Sequence, residues 1–280
     1  MIAKMPASPM PEITSARVSQ PTAWSTGWNG LTVDGEVAPE LAPMFWDNRT
    51  LSLEAQTLGP MKNLDEMRGT AFGQDDILDE LVTRLAGIPE YATLFEAAFG
   101  AGSVNATNLS KALAAFERTL VPKDSSFDRY MAGDDGAMTD SAIRGMHGFI
   151  YQGCAKCHSG PMLTDYKLHS LPVPPRVGEI TNPTPVFNPR FEKFRTPSLR
   201  MVTRTAPYMH NGVFPTLVDA LEFYHNIDHH IEVDPLLEGD VEVAHGQGDD
   251  ILAFFEALSD GTFDTTVPEH VPSGLPPGAR

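Results

Sequence analysis

Cysteine is nearly absent: Cys154 and Cys157 are the only two in 280 residues. A structural zinc site takes four ligands, usually with a second Cys or His pair at set spacing, and the sequence offers no such pair. A thioredoxin-like redox motif expects a βαβ setting, which is missing as well. Basic residues are scarce: 20 Lys and Arg stand against 37 Asp and Glu, for a net charge of −17 and a pI near 4.8. That argues against nucleic acid or an anionic membrane as partner, since both reward basic patches. It suits docking of a basic protein through long-range attraction, and equally well mere solubility. No run approaches 18 apolar residues, so no transmembrane helix is expected. The segment Met1–Pro11 has no apolar h-region, so no secretory signal is visible. We find no internal repeat and no convincing set of strands.

What is present reads as helix and loop. A hydrophobic content of 41% is enough for a packed core, while 24 prolines and 23 glycines predict long connecting segments. The length suits one large or two ordinary domains. Residues 1–44 read as extended loop. A short helix is expected around Leu51–Leu58. Ile77, Leu78, Leu81, Val82 and Leu85 have helical spacing within 76–86, closed by Gly87 and Pro89. Residues 108–120 repeat the pattern, with Pro122 as the stop. Residues 123–138 hold Gly133, Asp134, Asp135 and Gly136 and read as a domain joint. Thr139 caps a helix through Tyr151. Thr216 and Asp219 fit a capping box opening a helix through Tyr224 and His225. A last helix covers 249–258. Eight prolines from Pro161 to Pro197 mark the segment between as loop.

The two cysteines belong to Cys154-Ala155-Lys156-Cys157-His158, the attachment signature of a c-type haem. Thiols three residues apart share one face of a helical turn and can add to the two haem vinyl groups. His158 then reaches the iron from the proximal side. The porphyrin would give a loop-rich second half a large apolar surface to bury against.

Further segments surround this motif in a fixed order. Phe45-Trp46-Asp47-Asn48-Arg49, Leu53-Glu54-Ala55-Gln56, Gly59-Pro60, Glu66-Met67 and Phe127-Asp128-Arg129-Tyr130 precede it. Lys193-Phe194-Arg195-Thr196-Pro197-Ser198-Leu199-Arg200 and Ala206-Pro207-Tyr208-Met209-His210-Asn211-Gly212 follow it. Together, over about residues 17–258, they resemble the bacterial dihaem cytochrome c peroxidase family, which includes the MauG-like enzymes. The resemblance implies an all-α fold of two cytochrome c-like haem domains with long loops, the first one incomplete. Residues 1–136 would be the peroxidatic-type domain lacking its CxxCH, and 137–280 the domain with covalent haem. The family places its first CxxCH upstream of the segment matching Arg17–Thr22. The sequence therefore reads as an N-terminally truncated member, with a natural monohaem variant as the alternative.

The resemblance also implies roles. Glu66 matches the distal glutamate that moves protons between the two peroxide oxygens, with Gln56 and Pro60 lining the same pocket. The alternative for Glu66 is a solvated surface residue. Trp46 matches the tryptophan between the haems, and a core aromatic is its plainer reading. Tyr224 falls at the sixth-ligand position of the covalent haem, where a phenolate lowers the potential relative to Met. His225 and Met209 compete with it. Gln152 stands where MauG has the tryptophan that oxidises a protein substrate. A bridging calcium ion would use backbone carbonyls of Thr205 and Pro207, although Ser19 and Gln20 replace the expected asparagine. Arg195 and Arg200 are candidates for the haem propionates, His210 for a structural role at the haem edge, and His229–His230 for a surface pair. The implied activity is reduction of hydrogen peroxide in the periplasm, with electrons from a small cytochrome c or cupredoxin. A homodimer is compatible with the resemblance. The rivals are a monohaem electron carrier and MauG-like oxidation of a protein or small molecule.

Overall fold

The computed structural model describes residues 30–174, 193–227, 234–237, 246–260 and 266–277. Ser19, Gln20 and the His229–His230 pair lie outside them. Helices dominate, as expected, but two short antiparallel strand pairs qualify an all-α description. β1 (Pro43–Met44) pairs with β2 (Thr50–Leu51), and β3 (Leu168–His169) with β4 (Phe194–Arg195). Among the described residues, no helix is long and apolar enough to cross a membrane.

The first half holds α1 (Leu53–Gln56), α2 (Leu58–Lys62), a single π-helical turn Leu64–Arg68, α3 (Ile77–Ala86), α4 (Pro89–Phe99) and α5 (Ala106–Glu117). The expected helix at 51–58 is split at Thr57, which caps α1 and precedes α2. Helix α4 escaped the sequence reading because Pro89 was taken as a stop. It occupies the first turn, where its missing N–H removes no helical hydrogen bond and its fixed φ is already helical. Arg118 at the end of α5 forms a two-pronged pair with Glu54 of α1, at 2.6 and 2.9 Å.

The second half is built on α6 (Ser126–Met131), α7 (Asp140–Tyr151), α8 (Leu217–His225) and α9 (Gly248–Ala257). Helix α6 lies inside the segment read as a joint. A reciprocal Ser125/Asp128 capping box starts it, so two orphan groups of the helix end are satisfied locally. Thr139 caps α7 and Thr216 and Asp219 box α8, as the sequence indicated. Helices α7 and α9 cross to form the core, with Ala142, Phe149, Ile251, Phe254 and Leu258 buried and Phe127 and Tyr130 of α6 packed against it.

Three polar ties hold distant segments together. Asp260, at the end of α9, accepts from the Lys123 and Asp124 amides at 2.8 and 3.0 Å. Asn48 donates to the Tyr166 carbonyl at 2.9 Å, and the Tyr166 hydroxyl donates to the Leu31 carbonyl. Arg200 is nearly fully buried and donates to both Asp128 carboxylate oxygens and to the Pro161 carbonyl.

Candidate functional site

Helix α7 delivers the attachment motif. It ends at Gln152, and Gly153 follows with φ 83°, a left-handed conformation open to glycine without a Cβ clash. The chain then enters the tight turn Cys154–Lys156. The amides of Cys157 and His158 both donate to the Cys154 carbonyl, at 3.3 and 3.0 Å. One turn thus presents both sulfurs and the imidazole to a single cavity. Trp46, Met209 and Tyr224 line it too, and leucine, valine, phenylalanine and proline make up much of the remaining wall.

The His158 ring is fixed for ligation. Its Nδ1 lies 3.0 Å from the Leu163 carbonyl. A carbonyl only accepts, so Nδ1 carries the proton and Nε2 keeps its lone pair. Burial pulls the His158 pKa below the usual imidazole value, against a smaller opposing effect of the Leu163 carbonyl. The neutral form, which a metal ligand must have, is therefore favoured. Burial also pushes the Cys154 and Cys157 thiols up to about 11, with Asp165 and Asp234 adding to the effect at Cys157. A reactive dithiol pair is favoured by the opposite shift. Two closely spaced thiols, one neutral imidazole and apolar walls fit a covalently held haem c.

Tyr224 enters the cavity from α8. Burial, and then the neighbouring Cys154 and Cys157, hold its phenol far above the usual tyrosine range. Next in the chain, His225 is outside the cavity lining, as a turn of about 100° per residue dictates. Met209 does line the cavity, from a left-handed backbone (φ 66°). Trp46 reaches the wall from the first half. Its ring meets Phe194 edge-on at 6.5 Å, and Phe194 stacks on His210 at 3.8 Å. His210 also lines the cavity.

The other expected residues are placed as follows. Thr205 and Pro207 line the same cavity, and the Thr205 amide and hydroxyl donate to the Val202 carbonyl. Gln152 is buried and donates to Gln247 of the loop before α9, while Tyr151 beside it is 92% exposed. Gln56 and Pro60 are half-buried on α1 and α2 and do not line the cavity. Glu66 corrects the expectation of burial. It is exposed on the π-helical turn, its carboxylate accepts from Asn63 at 2.7 Å, and Leu64 and Met67 beside it are exposed too. Arg200 is a second correction: Asp128 and Pro161 already engage its guanidinium, leaving it no fork for a propionate.

One cluster escaped the sequence reading. His169 lies between two carboxylates, with Nε2 2.8 Å from Asp165 and Nδ1 3.0 Å from Asp234. Donor atoms of Cys157, Asp165 and His169 come within 4.8 Å of one another, a grouping suited to a metal ion. Thioether formation at Cys157 takes the thiolate out of that set. The four-residue spacing of Asp165 and His169 was the only signal, and Asp234 comes from a distant loop.

Residues 8–136 match the family described as di-haem cytochrome c peroxidase. The cytochrome c551 peroxidase of Pseudomonas aeruginosa is 33% identical over 261 residues, covering 85% of this chain and 68% of that protein. The methylamine utilization protein MauG of Methylophilus methylotrophus is 32% identical over 234 residues, covering 81% of this chain and 67% of that protein. Against the other relatives it matches first, the chain spans slightly less than two thirds of their length, 63% and 64%. In fold it is similar to a solved MauG-like protein associated with microbial copper homeostasis, with a TM-score of 0.63, 24% identity, and coverage of 87% of this chain and 83% of that one. Motif, cavity and relatives agree: the chain belongs to the di-haem cytochrome c peroxidase and MauG family.

Proposed function

We propose that this protein serves hydrogen peroxide reduction in the periplasm and that residues 137–280 form its electron-transfer domain. The observation that carries the reading is the convergence of Cys154, Cys157, His158 and Tyr224 on one apolar cavity with Trp46 in its wall. Cys154 and Cys157 would hold the haem through thioether bonds, and His158 and Tyr224 would offer their nitrogen and oxygen to its iron. When bound, the haem supplies a one-electron carrier. Burial opposes loss of the Tyr224 phenol proton, so a cation at the cavity centre would be needed to favour its phenolate form. Trp46 bridges the first half to this wall, which suits electron passage toward a peroxide-reacting site of residues 1–136. There Glu66, with Gln56 and Pro60, would take a proton from one peroxide oxygen and return it to the other. The balance is two electrons and two protons per peroxide, giving two waters. A small basic cytochrome or cupredoxin is the donor favoured by the net charge of −17. Carbonyls of Thr205 and Pro207 are the calcium donors in this reading.

The exposure of Glu66 favours a second reading, a monohaem electron carrier without catalysis. Native protein should be weighed intact to count covalent haems and assayed for peroxide-dependent oxidation of a reduced small cytochrome. Two haems with turnover support the peroxidase reading. One haem without turnover replaces it with the carrier.

A further inference from the structure

Among the described residues, Arg195 is the one arginine in the cavity wall. Guanidinium stays charged in proteins, and taking a charge out of water without a counter-charge is unfavourable. Arg200 has Asp128 as its charged partner, and His169 has Asp165 and Asp234. Arg195 has no carboxylate partner among the described residues. Its guanidinium donates to the Pro43 carbonyl, and among the described residues the titratable neighbour that bears on it is the Tyr166 phenol. Burial pushes that phenol up to about 12, so it stays neutral at pH 7 and supplies no counter-charge. Arg195 thus lines a largely apolar cavity as a half-buried cation without a carboxylate partner among the described residues.

The backbone around it is fixed. The Arg195 amide donates to the Trp46 carbonyl at 2.6 Å, and β4 pairs Arg195 with Leu168 of β3. This residue thus ties the Pro43–Trp46 segment of the first half to the cavity of the second. A haem carries two propionate carboxylates on one edge, and a carboxylate is the group the planar fork of arginine matches best.

We propose that Arg195 anchors a haem propionate, making one residue the common support of the macrocycle edge and the Trp46 segment. The assignment rests on the haem reading above. It makes Arg195 a positioning residue and an electrostatic one: its charge offsets that of the propionate, and its loss should favour ferric iron.

The test compares native holoprotein with Arg195→Gln, reading the haem midpoint potential and the propionate bending bands by resonance Raman. A lower potential and shifted propionate bands in the variant are expected. Unchanged potential and bands in a haem-loaded variant overturn the assignment and leave Arg195 a structural tie to Pro43. If the Gln variant fails to accumulate, Arg195→Lys keeps the charge and removes the fork. Shifted bands at a near-native potential then support the anchor, and unchanged bands overturn it. Wild-type protein without covalent haem overturns the haem reading itself, an outcome distinct from failure of Arg195 alone.

Discussion

Gly145 sits where α7 crosses α9, and replacing it by alanine tests whether that crossing holds up the site. A Cβ built there would lie 1.8 Å from the Asp250 carbonyl oxygen, 2.4 Å from its carbon and 2.9 Å from the Ile251 nitrogen. Ordinary contact begins at 3.4 Å, so the shortfall is 3.4 − 1.8 = 1.6 Å. All three obstacles are backbone and cannot rotate away. The helices must part, and a gap of even 0.5–1 Å forfeits about a quarter to a half of each dispersion contact across it. Phe149, Ile251 and Phe254 would lose contacts together. Overpacking typically costs ~1–3 kcal/mol, and a backbone obstacle puts this site at or above the upper end. The helical preference of alanine over glycine returns only ~1 kcal/mol. Gly148, one turn later, is the control. Its added Cβ would meet only the Gln247 and Gln152 side chains, at 3.4 and 3.8 Å. Gly148→Ala should therefore stabilise by roughly 0.5–1 kcal/mol. Urea unfolding of both holoproteins measures the difference, and haem content by pyridine haemochrome should fall for Gly145→Ala alone, because α7 presents Cys154. A Gly145→Ala loss under about 1 kcal/mol, or equal effects at the two positions, would refute the reasoning.

Three other outcomes are expected. Tyr224→Phe should change the ferric spectrum and raise the haem potential, while His225→Ala should change neither; an unaltered spectrum in Tyr224→Phe would transfer the ligand role to Met209. Arg200→Met should destabilise by about 1.5–3 kcal/mol, since it takes a charged hydrogen-bond partner from the half-buried Asp128 carboxylate, and a chemical-denaturation midpoint near wild type would contradict the contribution of that pair. At His169, burial works to lower the pKa, but hydrogen bonds to Asp165 and Asp234 outweigh it and the net shift is upward. The pairing therefore contributes fully below the unfolded imidazole pKa, about 6.5, and is lost as pH rises through the raised folded value. Asp165 and Asp234, both lowered on balance although burial opposes it, contribute above the usual carboxylate range and lose it on acidification. The stability difference between wild type and His169→Asn should thus be largest from about pH 4.5 to 6.5 and shrink on both sides, whereas a pH-independent difference would deny the ionic pairing.

What the sequence disclosed, and what it withheld, follows from how local each signal is. Thr139, Thr216 with Asp219, and the Cys154–His158 turn are specified within four residues, and each appears where the spacing put it. Pro89 misled because the same missing N–H that ends a helix also suits its first turn, and only the apolar residues beyond it decide between the two. The resemblance puts Glu66 in a pocket, but burial depends on what packs over a surface, which no local spacing carries, and among the described residues Leu64 and Met67 beside it are exposed. The two arginines of the Lys193–Arg200 segment make the same point more sharply. Arg195 and Arg200 are chemically alike and five residues apart, so the sequence offered both to the propionates. Folding brings Asp128, 72 positions away, onto Arg200 and, among the described residues, gives Arg195 a carbonyl and a neutral phenol. Long-range pairing thus removes one candidate and sharpens the other, and it does so at the point where the first half of the chain meets the wall of the cavity.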